Sequence, residues 1–197
     1  MKKLISLFSG CGGMDLGFEG AFSILKNSYN ENVNPDWNVK NDADYIILPK
    51  TNYETILAND ILTTAKNAWV PYFNKKNNGV FINDSIVNLV KEERLHKYKR
   101  KSIDVITGGF PCQDYSVSGK RKGFKSHKSH LNEKIGEDDY DTPTEESRGM
   151  LYYWMQRVID IVQPKVFIAE NVKGLKSMSN VVSTIKQDFE NTKDGGY

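Results

Sequence analysis

The chain has 197 residues, 39% of them hydrophobic and 26% charged, with a net charge of +2; that balance suits one globular domain and excludes a disordered or collagen-like chain. No apolar stretch approaches the roughly 20 residues that cross a bilayer. The apolar run at the N-terminus breaks at Ser9-Gly10, too early for a secretory leader, so no membrane association is expected and the expected location is the cytoplasm.

In chain order, Lys3 to Phe8 reads as a buried strand, followed by the glycine-rich Ser9-Gly10-Cys11-Gly12-Gly13 and a helical pattern through Met14, Leu16, Phe18, Ala21, Phe22 and Leu25. Asn27 to Asn52 is polar, contains Pro35 and Pro49, and reads as an inserted loop. Tyr53 to Ala58 is a second strand ending at Asn59-Asp60, and a helix is expected over Thr63 to Tyr72, interrupted near Pro71. Val80 to Ile82 is a third strand ending at Asn83-Asp84. Val90 to Lys101 is charged and helix-like. Ile103 to Thr107 is a fourth strand, ending in Gly108-Gly109-Phe110-Pro111-Cys112. Lys120 to Glu146 reads as a mobile loop and Gly149 to Val162 as an amphipathic helix. Pro164 to Ala169 is a fifth strand ending at Glu170-Asn171, and Ser177 to Asn191 is a last helix.

Strands alternating with helices predict an α/β fold with a mostly parallel sheet and helices on both faces. Ligands of such sheets bind outside the carboxyl ends of the strands. Ser9 to Gly13, Asp60, Asp84, Cys112 and Glu170 all fall at those ends, so one cleft collects them. Gly10-Cys11-Gly12-Gly13 lets backbone approach a ligand closely. It lacks the third glycine of dinucleotide sites, where Asp15 stands, and this favours a nucleoside without phosphates. Asp60 is placed to hold a ribose hydroxyl pair and Asp84 to accept from an adenine amino group; ordinary strand-end capping explains either acid equally well.

Charge is uneven. Asn74 to His130 holds 13 Lys/Arg against 5 Asp/Glu, and Leu131 to Asp160 reverses to 8 acidic and 3 basic residues. A basic stretch attracts phosphates, although a solvated surface is the plainer account of a charge run alone. The two cysteines, Cys11 and Cys112, form neither a disulfide framework nor a zinc site, so any chemistry they carry is that of a single thiol.

Four ordered motifs, Phe8-Ser9-Gly10-Cys11-Gly12-Gly13, Gly109-Phe110-Pro111-Cys112-Gln113, Ser147-Arg148-Gly149 and Glu170-Asn171-Val172, together resemble those of DNA cytosine-5 methyltransferases. The resemblance covers nearly all the chain except 27–52 and 125–146. It implies a Rossmann-like methyltransferase sheet that uses S-adenosylmethionine. Phe8 would stack on the adenine, and Ser9, Gly10, Cys11, Gly12 and Gly13 would cradle the methionine part. Asp60 would hold the ribose and Asp84 the adenine amino group. Ile61 stands where the family often has an aromatic, and Leu151 would contact the cofactor. The resemblance makes Cys112 the nucleophile, Glu170 the acid at ring nitrogen 3 and Arg148 a positioning group. Gln113, Ser116, Lys120, Arg121 and Lys122 would meet double-stranded DNA, with the target base flipped out of the stack.

The chemistry asks for the same residue types independently. Carbon 5 of cytosine is a poor nucleophile, and a thiolate adding to carbon 6 activates it. Cys112 without its neighbours reads as a buried structural thiol; with Pro111, Gln113 and Glu170-Asn171-Val172 in place it reads as the nucleophile.

The family pattern continues beyond Gly196-Tyr197 into further strands, a Gln-x-Arg-x-Arg motif and a target-recognition region. The expectation is one incomplete cofactor-binding and catalytic domain over 1–197, lacking its last strands, in a restriction-modification system; it is either a subunit of a split enzyme, served by a second chain that chooses the DNA sequence, or a shortened form of a longer chain, and the sequence leaves both open. The competing readings are an inactive remnant that binds DNA or a partner, a nicotinamide-dependent oxidoreductase and, last, a cysteine hydrolase, for which no histidine stands at a strand end.

Overall fold

The computed structural model describes residues 1–37, 40–42, 44–73, 80–99, 101–111, 131, 150–177 and 179–192. Five strands form one parallel sheet: β1 (Lys2–Leu7), β5 (Tyr53–Asp60), β6 (Val80–Asn83), β7 (Val105–Gly108) and β8 (Val166–Ala169), in the spatial order β6-β5-β1-β7-β8. The β1 strand is central, pairing with β5 from Lys2↔Tyr53 to Leu7↔Asn59 and with β7 from Leu4↔Val105 to Leu7↔Gly108. The chain builds outward from β1 to β6, then returns to lay β7 on the other side of β1. That reversal is the switch point at which such sheets bind ligands.

The two faces bury different helices. Alternation along a strand sends successive side chains to opposite faces. On one face Ala58 and Phe81 pack with Trp69 and Phe73 of α2 (Thr63–Phe73) and with Leu16 of α1 (Gly13–Glu19). On the other, Leu57 and Ile106 join the main core with Leu89 of α3 (Ile86–Lys91), Met155 of α5 (Leu151–Val162) and Phe189 of α6 (Ser179–Glu190). Each fully buried aromatic or branched side chain contributes about 1.5–3 kcal/mol, so the faces are anchored independently.

Several expectations need correction. The helix read through Leu25 stops at Glu19, because Gly20 takes φ 66° and a Cβ there would lie 2.1 Å from the Pro49 carbonyl oxygen. The segment read as an inserted loop instead supplies β3 (Lys40–Asp42) and β4 (Tyr45–Ile47), which form a small antiparallel sheet with β2 (Ser23–Leu25), read as the end of the first helix, in the order β2-β4-β3. Pro71 does not interrupt α2, since the helix runs on to Phe73, whose ring is buried and stacked 4.6 Å from Trp69. The charged helix expected over Val90 to Lys101 is two short ones, α3 and α4 (His96–Lys99), separated by a turn in which Glu93 has φ 55°. The loop expected over Lys120 to Glu146 lies outside the described residues, Leu131 excepted.

Candidate active site

The glycine turn begins at the end of β1. Phe8 has φ 51° and packs against the main core. Ser9 donates its N–H to the Asn59 carbonyl at 2.9 Å, and Gly10, at φ 54°, donates its N–H to Oδ2 of Asp60 at 2.9 Å. Gly12 has φ 90°, and a Cβ on it would come within 2.5 Å of the Phe73 ring. Gly10 and Gly13 differ from it, since a Cβ on either would meet nothing within 4 Å. The turn is therefore packed against α2 on its inner side and open on its outer side, which fits a ligand resting on the backbone. Cys11 is exposed on that turn.

Beneath the turn the interior holds a carboxyl. Asp15 is fully buried and accepts from Trp69 Nε1 at 2.6 Å. Burial pushes its carboxyl above the ordinary value despite that bond.

The ends of β5 and β6 are tied together by asparagine amides. Asn59 Nδ2 donates to the carbonyls of Ile82 and Asp84, and Asn83 Nδ2 donates to those of Asp60 and Ile61. Asp60, half-buried, accepts from Gly10 through Oδ2 and from the Leu62 N–H through Oδ1 at 2.9 Å. Asp84 accepts from the Ser85 N–H at 2.7 Å and Asn88 Nδ2 at 2.9 Å through Oδ1, and from Arg94 at 2.6 Å through Oδ2. Burial pushes the Asp84 carboxyl up, but hydrogen bonds from Asn88, Arg94 and Ser85, with the Arg94 charge, outweigh it and hold it below the ordinary value. Both acids thus do the strand-end capping that their positions suggest, without using all their acceptor capacity.

On the far side of β1, Gly108 lets α5 close on the sheet, because a Cβ there would lie 2.6 Å from the Met155 sulfur. At Gly109 a Cβ would stand 3.2 Å from Oε2 of Glu170 and 3.9 Å from the Met14 methyl. The carboxyl of Glu170 and the helix that opens from the glycine turn therefore approach one point at the switch point. Glu170 donates its N–H to the Gly108 carbonyl at 2.9 Å, and its side chain is exposed. Asn171 Nδ2 donates to the Phe110 carbonyl at 3.0 Å, fixing the backbone that leads through Pro111 to Cys112. Leu151 opens α5 and is 5% exposed, so its side chain serves the core and leaves little surface for a ligand.

Cys112, Gln113, Ser116, Lys120, Arg121, Lys122 and Arg148 lie outside the described residues. Among those described, the structure gathers Phe8 to Gly13, Asp60, Ile61, Asp84 and Glu170 at one edge of the sheet. Sequence reasoning missed the roles of Asn59, Asn83 and Asn171, although each adjoins a strand-end acid and that pairing was a usable signal. Arg94 left no such signal. A cavity of about 550 Å³ between β8 and α6, lined by Phe110, Phe167, Asn171 and Ile185 among others, includes no residue of the glycine turn and is a separate feature. Among the described residues no group of three or more His, Cys, Asp or Glu could hold a metal ion, and no helix is long and apolar enough to cross a membrane.

The chain is similar in sequence to type II methyltransferases. It is 30% identical over 191 residues to the type II methyltransferase M.NgoFVII of Neisseria gonorrhoeae, covering 96% of this chain and 36% of that protein. Against M.FnuDI of Fusobacterium nucleatum it is 29% identical, over 99% of this chain and 39% of the relative. Against M.Bsp6I of a Bacillus strain it is 30% identical, over 100% and 44%. It thus spans well under half of each of these relatives. The profile of one family, C-5 cytosine-specific DNA methylase, matches residues 2–135 and 140–197. With that match across nearly the whole chain, and with the sheet and glycine turn described above, the chain belongs to the C-5 cytosine-specific DNA methylase family.

Proposed function

We propose that this chain is the cofactor-binding and catalytic part of a DNA (cytosine-5-)-methyltransferase. It transfers a methyl group from S-adenosylmethionine to carbon 5 of cytosine in double-stranded DNA, through a covalent adduct with Cys112. The proposed setting is a restriction-modification system in the cytoplasm; the relatives are named type II methyltransferases. The observation that carries this reading is the convergence of the Glu170 carboxyl and the Met14 methyl on Gly109, with Asn171 fixing the backbone two residues before Cys112.

The open side of Gly10 to Gly13, the half-buried Phe8 ring and the acids Asp60 and Asp84 fit S-adenosylmethionine. Bound there, it supplies a methyl group made electrophilic by a sulfonium. The chain's own residues make the base reactive. The Cys112 thiolate adds to carbon 6, and the ring electrons shift to carbon 5. Glu170 protonates or hydrogen-bonds nitrogen 3 as charge develops there. After transfer, loss of the proton on carbon 5 expels the thiolate and restores the aromatic ring. Arg148, Gln113 and Ser116 position the base, and Lys120, Arg121 and Lys122 contact phosphates.

A second chain, or the remainder of a longer one, is proposed to carry the target-recognition region and to pair along β8. That strand ends the sheet among the described residues, so its outer backbone edge is open to a further strand, and the side chains of Val166 and Ile168, 53% and 42% exposed, lie on one face that an added element would cover. The test is transfer of labelled methyl from S-adenosylmethionine to duplex DNA in the presence of the complementary half, with nucleoside analysis. Label in 5-methylcytosine is expected. Label in another base, or DNA binding with no label, would overturn the reading.

A further inference from the structure

The Asp84 carboxylate is surrounded in an unusual way for a residue at the end of an edge strand. A carboxylate offers about four acceptor positions. Two on Oδ1 are filled by the Ser85 N–H and Asn88 Nδ2, and one on Oδ2 is filled by Arg94 at 2.6 Å. Arg94 lies ten residues along the chain, past the whole of α3. It returns because Glu93 takes φ 55° and turns the backbone, with the Arg94 N–H bonded to the Leu89 carbonyl at 3.1 Å. Its guanidinium also meets Glu92 at 3.3 Å. The Asp84–Arg94 pair is only partly buried, with side-chain exposures of 29% and 37%, so its value to folding is small. A left-handed non-glycine residue carries a cost of its own. The arrangement does little for stability and much for the direction of one oxygen.

We propose that Arg94 is a positioning residue for cofactor recognition: it locks Oδ2 of Asp84 so that its single remaining acceptor position faces a donor N–H, the 6-amino group of the adenine. One acceptor position suits one N–H. It does not suit a ribose diol, which brings two hydroxyls, and it repels a 6-oxo group. The inference rests on the reading of this edge as an S-adenosylmethionine site and adds the residue that sets its base selectivity. Hydrogen bonding from three donors keeps Asp84 ionised throughout the neutral range, so Arg94 acts on orientation rather than on charge.

The test is calorimetric binding of S-adenosylhomocysteine and of S-inosylhomocysteine, which carries a 6-oxo group in place of the amino group, to the wild-type chain, Arg94→Ala and Arg94→Lys at pH 6 and pH 8. Wild type should favour the amino ligand by about tenfold or more, the worth of one hydrogen bond to a charged group. Arg94→Ala should lose most of that preference and leave binding of the inosine ligand nearly unchanged, and Arg94→Lys should recover part of it. The preference should be the same at both pH values. Equal weakening of both ligands in Arg94→Ala, or an unchanged preference, would overturn the inference while leaving the cofactor site standing. Failure of wild type to bind either ligand would overturn the cofactor reading, and the inference with it.

Discussion

The two halves of the sheet's carboxyl edge treat their acids in opposite ways. On the β5–β6 side, Asp60 and Asp84 are held by donors from the protein itself, and amide bridges from Asn59 and Asn83 fix the strand ends that carry them. On the β7–β8 side, the backbone is just as firmly tied through Asn171 and Phe110, yet the Glu170 carboxyl has no hydrogen bond or ion pair among the described residues. Donors that fix a carboxylate's direction suit recognition of a ligand that does not react. A carboxyl left without a partner among the described residues keeps its hydrogen-bonding capacity for the reacting base.

Breaking each half separately tests the contrast. The largest effect is expected at the reacting side. Cys112→Ala should abolish methyl transfer in an assay supplied with the complementary half and leave S-adenosylhomocysteine affinity unchanged; residual turnover would remove Cys112 from its role. Glu170→Gln should lower turnover by about 10²–10⁴-fold, with cofactor affinity and the melting temperature unchanged. A melting shift would show that Glu170 is structural after all.

The cofactor side should respond in stability as well as in binding. Gly12→Ala forces a side chain into the Phe73 ring at φ 90° and should cost about 2–4 kcal/mol in denaturant unfolding. Gly13→Ala meets open space inside a helix and should leave stability intact while weakening cofactor binding, because the methyl group occupies the cradle. If the two variants behaved alike, the glycine turn would be serving only the fold. Asp60→Ala frees the N–H groups of Gly10 and Leu62 and should cost about 1–3 kcal/mol together with cofactor affinity, unlike Glu170→Gln.

The smallest effect is in pH dependence. The carboxyl of Asp84 and that of Asp104, which is bonded by Lys165 and the Lys3 N–H, are both held below the ordinary value, so their stabilisation is present above about pH 4 and is lost as pH falls through their folded values. Asp15 is shifted the other way. Its stabilisation is full at low pH and is lost as pH rises through its raised folded value. Asp15→Asn keeps an acceptor for Trp69 and should remove the loss of stability that sets in as pH rises above about 4 without altering the acid arm.

The five strands of the parallel sheet were legible because each carries an apolar stretch closed by polar or glycine residues, as a sheet packed between helices demands. The small sheet of β2, β3 and β4 was not, since its strands are three residues long, β2 within a helix-like run and β3 and β4 within a polar segment, too short to show an alternation. The split between α3 and α4 was hidden because a left-handed glutamate at 93 has no signature in composition. Asp60, Asp84 and Glu170 were visible as acids at strand ends. What held them was not, because Arg94 meets Asp84 only through a turn that tertiary packing sets. The asparagine bridges likewise depend on the register between β5 and β6.

Cys112 and Glu170 are proposed to act on one pyrimidine beside the glycine turn. Duplex DNA carrying 5-fluorocytosine, incubated with S-adenosylmethionine, this chain and its complementary half, tests it directly, because fluorine at carbon 5 cannot leave as a proton does and the thiol remains attached. Mass spectrometry of the digested adduct should find the base on the peptide holding Cys112. An adduct on Cys11, or DNA and cofactor bound with no adduct, would contradict the account.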